Sequence, residues 1–179
     1  MDELSFQSSK LLLNAAREEY NLENEKGKNF DVRGGILVPL YSALLIFMIT
    51  GILSNGITGD KANGLLPCVV YLLYFISNLI GILGILYAIW CLIKMFSISE
   101  YNRINFDDLA SEIEMDENGY AYLLYFLYEN AVSFNRQING EKIVYLQRSL
   151  MMFKYVIASI CLSYIFLICI RVVERGIFQ

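Results

Sequence analysis

Between Leu65 and Ile93 the chain runs for twenty-nine residues without one charged side chain. At ~1.5 Å of rise per residue, a helix of that length reaches ~43 Å, beyond the ~30 Å hydrocarbon core of a bilayer. Folded into a hairpin, it would leave about fourteen residues per limb, below the ~17 that a span requires. A single tilted helix overrunning the bilayer fits better. A second charge-free run covers the twenty residues Gly34 to Leu53, and a third, Tyr155 to Ile170, lies between Lys154 and Arg171. Met151, Met152 and Phe153 lengthen the third run, with Lys154 snorkelling toward the headgroups. The sequence therefore predicts an all-α integral membrane protein with three transmembrane helices and a helical region outside the bilayer.

Composition narrows the chemistry. Of the 179 residues, 18% are charged and none is histidine; an average soluble domain is ~25% charged. Without histidine there is no His/Cys zinc site, no Ser-His-Asp triad and no imidazole acid–base catalysis. HExxH, GxSxG, the P-loop and the strand-borne GxGxxG are also absent, so the chain reads as no enzyme, with no catalytic residue, cofactor or metal ligand assigned. Cys68, Cys91, Cys161 and Cys169 all sit in apolar runs and form no CxxC pair, which marks them as small buried hydrophobes. The Asp107-Asp108 pair belongs to an acidic run and reads as a solvated face.

Lysine and arginine placement predicts the orientation. The segment before the first span holds five and the 94–154 segment six; the Ser54–Gly64 loop holds one and the tail two. With the N-terminus in the cytoplasm, eleven lie inside and three outside. The first run is not a cleaved signal peptide, because the charged segment Met1–Arg33 precedes it.

Four regions follow: residues 1–33, a transmembrane hairpin at 34–98 (spans 34–53 and 65–93), a helical insert at 99–150, and a third span with a short tail at 151–179. Leu4 to Lys26 reads as a charged helix, and Lys26-Gly27-Lys28-Asn29 as a break before the first span. Asn118-Gly119 and Asn139-Gly140 are turn signals. They divide the insert into an acidic helix at 107–117, an aromatic helix from Tyr120 to Gln137, and a rigid helix from Glu141 to Glu174. A helix continuing from cytosol into membrane can carry a cytosolic event to the bilayer core.

Ser77, Gly81, Gly84 and Ala88 share one face of the second span, with Asn78 beside them. Such a stripe serves helix packing, within one chain or around a symmetric axis as a pore or oligomer interface. A buried Asn78 amide needs a partner: another Asn78, or Ser163 or Tyr164 of the third span. No charge lies deep in any run, which argues against a proton relay or a transporter. Outside the membrane, Arg136, Lys142 and Arg148 gather near the start of the third span. Anionic lipid is the ordinary partner for such a group; a small nucleotide is the specific one, with Asn135 beside Arg136. A broad nucleic-acid surface is unfavourable, since both extramembrane regions are net acidic.

Glu18-Glu19-Tyr20, Glu23 and Glu25, leading to Asp31-Val32-Arg33-Gly34-Gly35, form one stretch; Asn135-Arg136-Gln137-Ile138-Asn139 and Lys142 form another. Together they resemble the membrane effectors encoded beside nucleotide-synthesising enzymes in bacterial anti-phage defence systems of the Hailong, Pycsar and CBASS types. Gly34 stands where that pattern carries alanine, and the aromatic insert is larger than in the simplest members. The resemblance implies a homo-oligomer, a tetramer as first expectation, that permeabilises the bacterial inner membrane. A nucleotide or oligonucleotide from the partner enzyme would gate it, docking near Arg136, Lys142 and Arg148, with Ser77, Asn78, Gly81, Gly84 and Ala88 at the constriction or subunit interface. Two other classes compete: a membrane anchor that docks a separate enzyme on Tyr120–Phe134, and a holin-like lysis protein.

Overall fold

A computed structural model of the chain describes residues 2–54, 65–98, 101, 104 and 117–174, with side chains described for 10–54, 65–98, 101, 104 and 117–172. Three helices account for nearly all of them: α1 (Asp2–Ser54), α2 (Leu65–Phe96) and α3 (Glu117–Glu174). Each is long and apolar enough to cross a membrane, and among the described residues there is no β-strand. The expected acidic helix at 107–117 falls outside the described residues except for Glu117, as do the 55–64 loop and Arg175.

Two expected breaks are absent. α1 passes through Lys26-Gly27-Lys28-Asn29, and α3 passes through Asn139-Gly140, so the separate 120–137 and 141–174 helices are one. Asn118-Gly119 lies in the first turn of α3 rather than between two helices.

The reason is a seven-residue repeat. Along α3 the buried positions include Ala121, Tyr128, Asn135, Lys142, Ser149, Val156, Ser163 and Ile170, each seven residues from the last. α2 repeats the spacing at Tyr74, Gly81, Ala88 and Met95, and α1 at Gly27, Gly34, Tyr41 and Met48. Positions recurring at 3.5-residue spacing keep one seam facing the neighbouring helices, as in helical bundles and coiled coils. Burial along that seam outweighs the ~1 kcal/mol that a helical glycine costs relative to alanine.

Pro39, inside α1, has no N–H to give the carbonyl of Gly35. Next to it, Ser42 Oγ donates to the Val38 carbonyl at 3.0 Å, a back-bond that Ser often makes in apolar helices. Pro67 falls in the first turn of α2, where a missing N–H costs nothing.

The chain divides into two units, one of Met1–Arg33 with Met95–Val144 and one of Gly34–Lys94 with Tyr145–Gln179. We call them the polar unit and the apolar unit. The apolar unit turns Ile46, Leu72, Leu79, Leu83 and Ile168 outward, each well exposed. Cys68, Cys161 and Cys169 are exposed on outward helix faces as well, which corrects their reading as buried; Cys91 is buried as expected. A contiguous apolar exterior of this kind suits lipid, whereas water would penalise it. Apart from the Gly35 carbonyl and the helix ends, its backbone groups pair inside the helices, the condition for crossing hydrocarbon.

Candidate functional site

The polar unit holds its two long segments together with hydrogen bonds and ion pairs. Asn139 lies at its centre. The amide nitrogen donates to both the backbone carbonyl and Oε2 of Glu23, each at 2.8 Å, and Oδ1 accepts the Tyr101 hydroxyl at 2.7 Å. Glu23 is only 3% exposed, and its other oxygen accepts Lys26 Nζ at 2.8 Å. Arg136 adds an ion pair to Glu19 and a longer one, 3.8 Å, to Glu23. Asn135 Nδ2 donates to Asn24 Oδ1 at 3.1 Å, and the Tyr20 and Tyr128 rings meet edge to face with centroids 5.4 Å apart.

One turn further along α3, the buried Lys142 ammonium donates to both oxygens of Asp31, at 2.9 and 3.2 Å. It also lies 4.9 Å from the centre of the Tyr101 ring, within cation–π range. Tyr101, which belongs to none of the three helices, lies against Gly27: its hydroxyl and ring occupy the space that a Cβ there would need. Gly27 is therefore a notch for a side chain, which corrects its reading as a chain break.

Electrostatics follow from this packing. Burial by itself would raise the Glu23 carboxyl; the hydrogen bonds from Lys26 and Asn139, with the Lys26 and Arg136 charges, outweigh it and hold the group below its ordinary 4.5. Tyr101 shifts the other way. Burial first, then the Asp31 and Glu23 carboxylates, push its phenol up to about 12. Three acids thus meet three cations in two groups along the helices: Glu19 and Glu23 with Lys26 and Arg136, and Asp31 with Lys142.

In the apolar unit a second, smaller polar contact joins α2 to α3. Ser77 Oγ donates to the Ser159 carbonyl at 3.0 Å, and Ser159 Oγ donates to the Ser77 carbonyl at 2.5 Å. Ser163 Oγ donates to the Ser159 carbonyl at 2.9 Å and lies 3.1 Å from Ser77 Oγ. Nearby, the buried Tyr41 hydroxyl donates to the Ser149 carbonyl at 2.6 Å and accepts from Ser149 Oγ at 3.2 Å. A half-open cavity of about 40 Å³ lies among Phe47, Met48, Gly51, Tyr74, Asn78, Ile160, Ser163, Tyr164 and Leu167. That is room for about one water molecule.

These contacts rearrange the sequence-based site. The small-residue face of Ser77, Gly81, Gly84 and Ala88 is covered by the chain's own α1 and α3: Gly81 abuts Met48 and Ser159, and Gly84 abuts Val156. It packs helices within one chain, so that face is not left open for a symmetric axis. Within the chain, Asn78 takes neither Ser163 nor Tyr164; its amide donates to the Tyr74 carbonyl, one turn back on the same helix, at 2.9 Å. Arg136 and Lys142 are paired with acids of α1 rather than standing as a cationic group. Arg148 belongs to the apolar unit, exposed and 5.7 Å from the centre of the Tyr145 ring.

The reading by sequence missed Tyr101, Ser159 and the notch at Gly27. It did quote the two stretches that meet, 18–35 and 135–142, without pairing them. The pairing signal was present: acids at 19, 23 and 31, four and eight residues apart, face bases and amides at 136, 139 and 142, three residues apart, spacings that keep each set on one helix face. Among the described residues, no group of three His, Cys, Asp or Glu is placed to hold a metal ion.

No protein-family model, no curated protein and no solved structure matches the chain.

Proposed function

We propose that this chain is a membrane effector whose polar unit senses a small anionic signal, a nucleotide or oligonucleotide from a partner enzyme, and thereby sets the permeability of the membrane. The observation that carries the reading is the pairing of Glu19, Glu23 and Asp31 with Lys26, Arg136 and Lys142. Glu23 and Lys142 are buried charges held by partners that stay open to solvent, and an ion pair with a buried member is seldom more stabilising than an apolar core of the same volume. Their open partners, Lys26, Arg136 and Asp31, favour pairs that can be re-made over pairs built only for stability. An anion that binds Arg136 or Lys142 competes directly with the carboxylates of α1.

The membrane is the bacterial inner membrane, with the N-terminus and the polar unit in the cytoplasm, from the eleven-to-three split of basic residues. The effector works as a homo-oligomer, a tetramer in the simplest arrangement. Because Ser77, Gly81 and Ala88 are buried within the chain, copies meet through outward residues such as Leu72, Leu79, Leu83 and Leu86.

A second reading has its own support. Tyr122 and Phe126 are exposed, and Tyr122 stands in ring contact with both Tyr125 and Phe126 on α3. Exposed aromatic side chains dominate protein-binding hot spots, which suits an anchor for a separate enzyme. Induced expression in bacteria separates the two. The effector collapses membrane potential and arrests growth when a nucleotide-synthesising partner is co-expressed. An anchor leaves both unchanged.

A further inference from the structure

The slot that Tyr101 fills is built for a ring. Gly27 removes the Cβ that would block it, the Lys142 ammonium lies 4.9 Å from the ring centre, and Asn139 Oδ1 accepts the donor on the ring's edge, the Tyr101 hydroxyl, at 2.7 Å. Asp31 and Glu23 bear on the same place, so a negative charge inside the slot is penalised while a neutral ring is not. Lys26 and Arg136, joined to the slot through Glu23 and Asn139, keep more than half of their side-chain surface exposed. They offer cations outside the ring position.

We infer that this slot is a binding site for a neutral planar ring with an N–H or O–H donor on its edge, a nucleobase in chemical terms, and that Tyr101 is its resident competitor. The inference rests on the ligand-gated reading above and adds where the ring goes. A base entering the slot gives Lys142 a new π face and donates to Asn139 Oδ1, so neither group is left unpaired when Tyr101 leaves. Its phosphates stay outside, toward Lys26 and Arg136.

The test uses the full chain in lipid nanodiscs with three probes: adenosine, p-cresol (the tyrosine side chain as a free molecule) and inorganic phosphate. Tyr101→Ala removes the competitor. If Tyr101 holds the slot shut nine-tenths of the time or more, adenosine binds that variant at least about tenfold more tightly than the original chain. Adding Gly27→Leu, which refills the notch, abolishes that binding, and phosphate without a ring gains nothing from Tyr101→Ala. Tyr101→Phe, which keeps the ring and loses only the donated hydrogen bond, strengthens adenosine binding by a smaller factor. That variant carries the test if Tyr101→Ala loses its helical circular-dichroism signal. Entry of p-cresol alone makes the slot a socket for tyrosine and overturns the inference, as does adenosine binding that ignores all these substitutions. Ion flux across liposomes is scored separately. Flux with no binding in the slot defeats this inference alone; binding in the slot with no flux defeats the channel reading alone.

Discussion

Asn139 holds Glu23 from two sides, donating 2.8 Å hydrogen bonds to its backbone carbonyl and to its carboxylate, across 116 residues of sequence. Both side chains are about nineteen-twentieths buried or more. A polar residue on the packing seam of a helical bundle fixes register at some cost in stability, because any slip strands it unpaired. The polar unit repeats that device at Asn135 and Lys142, so its register is set by polar matching.

The first prediction concerns this pair. Asn139→Ala leaves a buried carboxylate short of one donor and costs about 1–3 kcal/mol of stability, read from unfolding in detergent micelles. The carboxyl of Glu23 titrates lower in the fold than its ordinary 4.5, so its stabilisation is complete above about pH 4.5 and is lost as pH falls through the folded value. Glu23→Gln removes that part of the acid-side slope. An unchanged slope in Glu23→Gln would show that other carboxyls carry it.

Lys142 and Asp31 give a second test. The lysine side chain is 6% exposed and the aspartate 41%, so the pair is asymmetric in burial. Asp31→Ala leaves the ammonium with the Tyr101 ring and costs about 1–3 kcal/mol, less than breaking a fully buried pair, because Asp31 is open to solvent. Lys142→Met, which keeps the apolar stem, costs less. A double-mutant cycle should return a coupling of at least ~0.5 kcal/mol; additive effects would mean that the contact contributes nothing to stability.

Glycines separate seam from surface. A Cβ at Gly81 would meet Met48 and come within 3.0 Å of Ser159 Oγ, whereas nothing lies within 4 Å of one at Gly140. Gly81→Ile therefore overpacks α2 against its neighbours and costs about 1–3 kcal/mol. Gly140→Ala stabilises by about 0.5–1 kcal/mol, since it lies inside a helix. Loss of stability in Gly140→Ala would instead restore the turn that Asn139-Gly140 suggests by sequence. Ser159→Ala, which removes one interhelical donor, costs about 0.6–1.7 kcal/mol.

The three spans were legible because a bilayer excludes charge: Gly34–Leu53, Leu65–Ile93 and Tyr155–Ile170 stand out by what they lack. The helix ends were not legible, for a physical reason. Outside the apolar runs, the seam positions of α1 and α3 carry Glu23, Asn135, Asn139 and Lys142, so hydrophobic periodicity fades where the packing continues. Gly27 and Asn139-Gly140 then read as punctuation, although Gly27 makes room for Tyr101 and Asn139 binds Glu23. Arg136 and Lys142 were visible as cations, but their acid partners lie 111–117 residues away and no local pattern reports them.

In the proposed function, the polar unit governs a path for ions. Ion flux from liposomes carrying the purified full chain, measured with and without nucleotides and alongside the oligomeric mass in the same preparation, tests it most directly. The account predicts a defined oligomer whose flux changes with nucleotide, and an Arg136→Ala/Lys142→Ala variant that no longer responds. A monomer in sealed liposomes, unaltered by any nucleotide, would contradict it and leave the anchor reading in its place.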